Sequence, residues 1–97
     1  MTPLTDPTMR LQLPTDRLVL AELLGGRNLS ANISDEVDRH QKTVSRRVNQ
    51  LEDYGLVTNI GRGVYEITEK GEVTLRLIDR YDEVDDFEAL VERELED

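Results

Sequence analysis

Residues 41–57 read QKTVSRRVNQLEDYGLV, and the fold follows from this stretch. Val44, Val48 and Leu51 recur at helical spacing and form one apolar stripe. The opposite side, which we call the front face, consists of Lys42, Arg46 and Asn49, with Thr43 and Gln50 beside them. Gly55 ends the helix, and a β-branched run begins directly after it. The pattern predicts a helix with a buried back and a cationic, amide-rich front, followed at once by a strand.

The residues before this stretch predict two further helices. The first opens at Pro14-Thr15 and ends at Gly25-Gly26, because proline suits a first helical turn and glycine suits the end of a helix. A short second helix is expected over residues 30–37, with Ser30 as its N-cap. A brief turn joins it to the helix over residues 41–54. These two helices form a helix-turn-helix, and the second of them carries the cations.

The residues after this stretch predict a β-hairpin. Residues 56–60 and 64–67 are rich in β-branched and aromatic side chains, which favour strands. Between them lies Gly61-Arg62-Gly63, where the glycines permit the positive φ of a tight turn. Thr68 is a candidate cap for a fourth helix. The predicted fold class is therefore mainly α with a small β-hairpin, a winged helix-turn-helix in which residues 61–63 are the tip of the wing.

Charge and apolar spacing divide the chain into three segments. Residues 1–13 contain two prolines and no sustained periodicity, so we expect a flexible arm from which Leu11 and Leu13 can dock. Residues 14–80 are assigned to the winged helix-turn-helix domain. Residues 81–97 are assigned to an acidic C-terminal helix, which either pairs with a second copy or folds back on its own domain; we favour the dimer. Its apolar stripe consists of Phe87, Leu90, Val91 and Leu95.

Composition excludes several classes of protein. The 97 residues suffice for one domain, and the absence of cysteine rules out disulfides and thiolate metal sites. The single histidine, His40, leaves no histidine-based metal cluster. No nucleophile–base pair or phosphate-binding loop is evident, so we expect no enzyme and no cofactor, and no site for a small-molecule ligand is evident. The apolar runs are too short to span a bilayer and no secretory signal is visible, so the expected location is the cytoplasm.

The net charge of −9 is unevenly distributed. Residues 14–67 sum to −1 and residues 68–97 to −8, so the predicted helix-turn-helix is near neutral. Residues 39–49 hold four cations and no acid, which is the one local concentration of positive charge. The excess of acids, with 2 lysines against 10 arginines, favours adaptation to concentrated salt. The alternative is a merely acidic protein from an arginine-rich genome.

The front face suits the major groove of DNA. In helix-turn-helix proteins, the N-terminal half of the second helix meets the base edges. Arginine can donate two hydrogen bonds to guanine, and glutamine can pair with adenine. An arginine at a hairpin tip can reach the minor groove or a phosphate. The alternatives are a solvated basic face and a tip arginine that only keeps the turn soluble. The predicted DNA contacts are Lys42, Thr43, Ser45, Arg46, Arg47, Gln50 and, at the hairpin tip, Arg62.

Two parts of the sequence resemble known regulators. Residues 43–57, TVSRRVNQLEDYGLV, resemble the winged-helix regulators of archaea and bacteria in general. Residues 59–71, NIGRGVYEITEKG, are similar to the haloarchaeal winged-helix family named for the repressor of phage phi-H. The pieces Pro14-Thr15-Asp16-Arg17 and Gly26-Arg27-Asn28 fit the same pattern. The resemblance covers about residues 13–75 of the chain.

This resemblance implies a transcriptional regulator that works in a salt-rich cytoplasm, with repression as the expected mode. It implies that Arg62 is the wing contact. One departure is Asp38-Arg39-His40, where the family pattern leads us to expect a glycine or another small residue in the turn. The implied base and phosphate contacts on the helix are Lys42, Thr43, Arg46 and Arg47.

The sequence thus predicts a sequence-specific DNA-binding regulator. The helix over residues 41–54 would read the major groove, and the wing at 61–63 would contact the minor groove or phosphates. The expected partners are double-stranded DNA and a second copy of the chain, with no membrane partner. The acidic C-terminal third is expected to face away from DNA. The alternative is a winged-helix module that binds only proteins, through the same face or through a dimer interface.

The sequence does not decide whether the tyrosine in the second strand of the hairpin is exposed or buried. Tyr65 alternates with Val64 and Glu66, so its ring either lies exposed on the wing or packs inward.

Overall fold

The computed structural model describes residues 9–96, which form helices around a small sheet. Within these residues, no helix is long and apolar enough to cross a membrane. The helices are α1 (Thr15–Leu24), α2 (Ser30–Val37), α3 (Gln41–Asp53), α4 (Glu69–Leu77) and α5 (Phe87–Glu96), with a 3-10 turn at Ile78–Arg80. The strands are β1 (Asn28–Leu29), β2 (Val57–Gly61) and β3 (Val64–Ile67).

The predicted fold class is confirmed, with one added strand. The molecule is mainly helical with a three-stranded antiparallel sheet, an arrangement compatible with a winged-helix fold. Strands β2 and β3 form the predicted hairpin, and β3 occupies the centre of the order β1-β3-β2. Strand β1 was not predicted. It pairs Asn28 with Tyr65 and Leu29 with Val64, and so joins the start of α2 to the hairpin.

The hairpin tip has the conformation that its glycines permit. Gly61 and Gly63 adopt φ values of 124° and 76°, and Arg62 between them has φ of 57°. The register between β2 and β3 shifts between Asn59 and Gly61, which marks a β-bulge beside the turn. Arg62 is consequently exposed at the end of the wing.

The apolar stripe of α3 lies at the centre of the core, as predicted. Val44, Val48 and Leu51 each have no exposed side-chain area, and they belong to the same cluster as Leu20 of α1 and Ile33 of α2. Burial of side chains of this size stabilises a fold by about 1.5–3 kcal/mol each. The stripe therefore fixes which side of α3 faces solvent.

Helix α5 folds back on its own domain. Phe87 and Val91 are buried, and the Phe87 ring meets Tyr81 edge to face with centroids 5.3 Å apart. Lys70 of α4 pairs with Glu88 at 3.3 Å and with Glu92 at 3.2 Å. The apolar stripe of α5 is thus used within the chain and is not left free for a second copy.

The flexible arm predicted for residues 1–13 needs correction at its C-terminal end. Met9 and Leu11 are buried in the core. The backbone amide of Arg10 donates to the Tyr54 hydroxyl at 3.1 Å, and that of Leu11 donates to the Tyr81 hydroxyl at 3.0 Å. Leu13, which we expected to dock, is 40% exposed. Residues 9–12 are therefore a fixed strap, and residues 1–8 of the predicted arm lie outside the described part of the chain.

The N-termini of α2, α3 and α4 are capped in different ways, and caps had been predicted for α2 and α4. Thr68 caps α4 as predicted, since its hydroxyl accepts from the Gly71 amide at 3.0 Å. His40 caps α3 through Nδ1, which accepts from the Lys42 amide at 3.1 Å. Ser30 is the first residue of α2 rather than its cap, which is Leu29.

Gly71 is expected to tolerate no side chain, although it lies inside a helix. A Cβ there would overlap the carbonyl oxygen of Leu56 and lie 2.7 Å from Cγ1 of Ile67. Glycine-to-alanine changes in helices usually stabilise by about 1 kcal/mol. Here overpacking against a backbone atom outweighs that gain, and Gly71→Ala should lower the free energy of unfolding in urea by about 1–3 kcal/mol.

Gly25→Ala is the matched control, because a Cβ at Gly25 would only reach Glu22 O at 3.4 Å. It should leave the free energy of unfolding within about 0.5 kcal/mol of wild type. Equal stability of the two variants would contradict the packing described for Gly71.

Candidate nucleic-acid interface

The front face of α3 is presented to solvent because the opposite stripe is buried. Lys42, Arg46 and Asn49 are exposed, as the helical spacing predicts. Thr43 and Gln50, at the edges of this face, are half-buried. The front face therefore offers two cationic groups and one amide along successive turns of the helix.

The cations of the front face and wing are not engaged by acids of the described part of the chain, unlike Arg17, Lys70 and Arg76. Within residues 9–96, Lys42, Arg46 and Arg62 form no ion pair. Other cations do form ion pairs, for example Arg17 with Asp79 at 2.6 Å. Cations without internal partners remain available to an anionic ligand, so this surface can bind one without first losing an ion pair.

Arg47 is the one predicted contact residue that is buried. Its side chain is 9% exposed, and its guanidinium is directed to the inside of the molecule. Nε donates to Asp16 Oδ1 at 2.9 Å, and Nη2 donates to Asp16 Oδ2 at 2.8 Å. Nη2 also donates to the carbonyl oxygen of Arg10 at 3.2 Å. Arg47 is therefore a buried structural residue and is removed from the set of candidate DNA contacts.

The environment of Arg47 keeps it charged. The hydrogen bonds to Asp16 raise the pKa of Arg47 above its ordinary value, and they outweigh the opposing effect of burial. A raised arginine pKa means that the charge of Arg47, and the stability it contributes, is lost only at extreme alkaline pH. The pair joins α1 to α3 behind the front face.

The predicted contact residue Ser45 lies half-buried against α2. Its hydroxyl donates to the Ser30 hydroxyl at 3.3 Å. Ser45 thus contributes to the contact between the two helices of the predicted helix-turn-helix, beside the front face.

Tyr65 packs inward, and it contacts a residue that the predicted contact set omits. Tyr65 is 8% exposed, and its hydroxyl donates to Asn49 Oδ1 at 3.1 Å. This hydrogen bond joins β3, which carries the wing, to the front face of α3. Asn49 was already assigned to the front face by its helical spacing. Its position three residues after Arg46 was a signal that could have added it to the candidate contacts.

The turn between α2 and α3 closes without a glycine. Asp38 takes the left-handed conformation, with φ of 56°, and the backbone amide of Arg39 donates to Ser34 O at 3.1 Å. Aspartate is one of the few residues other than glycine that adopts this conformation with little penalty. The departure at Asp38-Arg39-His40 from the expected small residue therefore leaves the helix-turn-helix intact.

Comparison with known families places the chain in a haloarchaeal group. Residues 5–95 match the family described as HVO_A0261 N-terminal domain, and the match spans most of the chain. The chain therefore belongs to this family. This family is a different one from the phage phi-H repressor-like family that the sequence resembles, and the match bears only on the former. No curated protein and no solved structure shows a significant match.

Proposed function

We propose that this protein is a sequence-specific DNA-binding transcriptional regulator, with repression as the expected mode. Helix α3 reads the major groove with its front face, and the wing contacts the minor groove or the adjacent phosphates. The observation that carries the proposal is the exposure of Lys42, Arg46 and Arg62 without ion-pair partners among residues 9–96. The resemblance of residues 59–71 to the phage phi-H repressor-like family supports the same function.

The acidic charge of the chain is compatible with this proposal if the acids face away from DNA. Helix α5 packs on α4, and three acids of α5 pair with Lys70 and Arg76 of α4. The hairpin, in contrast, is joined to α3 by the hydrogen bond between Tyr65 and Asn49. We propose that DNA lies against α3 and the wing, and that the acidic helices maintain solubility on the far side.

Concentrated salt shifts the balance of contacts on this surface. Binding energy from counterion release falls linearly with the logarithm of the salt concentration. A protein of a haloarchaeal family therefore gains less from neutralising phosphates than a protein in dilute salt. Hydrogen bonds to base edges, shape fit and neutral contacts become the main source of affinity. The small number of cations on the front face is consistent with this requirement.

Selection of bound fragments from a random duplex pool at high potassium chloride, followed by footprinting, tests the proposal. One enriched motif, protected from cleavage, is the expected result. We also propose that the protein is a homodimer, with an interface other than the apolar stripe of α5. A dimer should give a symmetric footprint with half-sites about 34 Å apart. Failure to enrich any sequence would refute DNA reading and favour the alternative of a module that binds only proteins.

The wing is expected to contribute through charge. Arg62→Ala should weaken binding to all duplex sequences and lower the slope of log affinity against log salt by about 1, as for the loss of one phosphate contact. Arg93→Ala is the control, because Arg93 is exposed on α5, on the proposed far side. Titrations followed by fluorescence anisotropy at several salt concentrations measure both slopes. An unchanged slope for Arg62→Ala would remove the wing from the interface.

A further inference from the structure

The side chain of Asn49 is held in one orientation by a residue of the wing. Tyr65 lies at the centre of the sheet, paired with Asn28 on one side and Asn59 on the other, and it is almost fully buried. Its hydroxyl donates to Asn49 Oδ1 at 3.1 Å. Because the sheet fixes the tyrosine ring, the ring in turn fixes the amide plane of the exposed Asn49.

This orientation gives Asn49 the chemistry of a hydrogen-bond donor. An asparagine amide has one acceptor oxygen and a nitrogen with two N–H donors. The oxygen of Asn49 is engaged by Tyr65, while the amide nitrogen has no hydrogen-bond partner among residues 9–96. The group that remains for a ligand is therefore donor-only and neutral. Its natural partner is an atom that only accepts hydrogen bonds, such as a phosphate oxygen.

The position of Asn49 in the fold indicates which phosphates of bound DNA its amide nitrogen can reach. Asn49 lies in the C-terminal half of α3, where the helix meets the hairpin. In the proposed complex, α3 occupies a major groove and the wing lies towards the neighbouring minor groove. The sugar–phosphate strand that separates two adjacent grooves must then cross the junction between helix and wing, which is the position of Asn49.

We propose that Asn49 donates a hydrogen bond from its amide nitrogen to a phosphate oxygen of this strand, and that Tyr65 is the positioning residue that holds the amide in the donating orientation. The inference rests on the proposed function and names a contact that the charge pattern alone does not reveal. A neutral donor releases no counterion, so its contribution persists where concentrated salt weakens the cationic contacts.

A double-mutant cycle tests this inference on the selected duplex. Asn49→Ala should lower the affinity about tenfold on every duplex sequence, as expected for loss of one hydrogen bond to a charged group. The slope of log affinity against log salt should stay at the wild-type value, in contrast to the change expected for Arg62→Ala. Tyr65→Phe should lower affinity about threefold, because the freed amide can turn its oxygen to the phosphate.

The double variant separates positioning from folding. If Tyr65 acts through Asn49, adding Tyr65→Phe to Asn49→Ala should cause no further loss of affinity. Urea unfolding of each variant verifies that all are folded at the temperature of the titration, and Asn49→Asp provides a second variant that keeps the acceptor for Tyr65 but loses the donors. Asn49→Asp should bind at least as weakly as Asn49→Ala.

Several results would overturn the inference while the proposed function stands. They are wild-type affinity for Asn49→Ala, an effect limited to one base position, a changed salt slope, and additive losses in the double variant. Failure of the wild-type protein to bind any duplex would overturn the proposed function and this inference together.

Discussion

Replacing Lys42 and Arg46 together by alanine should lower the affinity for the selected duplex at least about thirtyfold, since each well-placed contact to a base contributes about 1–3 kcal/mol. Both side chains are exposed on the front face of α3. Neither is used in an ion pair within residues 9–96, so their loss leaves no buried charge behind. Fluorescence anisotropy at one fixed salt concentration measures the effect.

The control for this double variant is Arg80→Ala with Arg93→Ala, which removes the same number of exposed cations from the acidic third. It should bind the duplex with an affinity close to wild type, and both variants should keep their free energy of unfolding within about 0.5 kcal/mol. An equal loss of affinity in the two variants would show that net charge governs binding rather than the front face.

Removing one partner of the buried pair between Asp16 and Arg47 should cause the largest loss of stability. Asp16 has no exposed area, and the pair is joined by two short hydrogen bonds. Arg47→Ala or Asp16→Ala leaves a buried charge without a partner, which costs about 3–5 kcal/mol. Since domains of this size have a total stability of about 5–15 kcal/mol, either variant should be close to unfolding. Urea denaturation followed by circular dichroism measures the loss.

Replacing both members of the pair by apolar residues distinguishes an unpaired charge from lost packing. The combination Asp16→Leu with Arg47→Met should recover most of the stability that either single alanine variant loses, because no charge is left buried. Similar unfolding free energies for Arg47→Ala and wild type would show that the guanidinium is not buried in solution.

The sequence predicted most of the elements that hold the candidate interface. The stripe of Val44, Val48 and Leu51 located α3 to within one residue of its observed end, and Gly55 marked where it stops. The glycines beside Arg62 located the hairpin tip. These features are local, since they depend on helical spacing and turn chemistry that a short window of sequence contains.

Arg47 was included among the predicted contacts because its charge was given more weight than its position. It lies three residues after Val44 and four before Leu51, so helical spacing alone places it on the buried side. Charged residues are rarely buried unless they are paired. The partner, Asp16, lies 31 residues away, and local patterns cannot show such a pairing.

Strand β1 and the strap at residues 9–12 were missed for a related reason. A strand of two residues has no alternation to detect, and it exists because β3 offers a free edge to Asn28 and Leu29. The strap is held by the hydroxyl groups of Tyr54 and Tyr81, from distant parts of the chain. Both features depend on tertiary contacts that act after the helices have packed.

Amide chemical shifts of the labelled protein, recorded during titration with the selected duplex, locate the surface that touches DNA. If α3 and the wing bind DNA, the largest changes occur in α3, from Gln41 to Gln50, and at residues 61–63 of the wing. The amides of α5 should change little. Large changes confined to α5 or to the strap at residues 9–12, with α3 and the wing unaffected, would contradict the account.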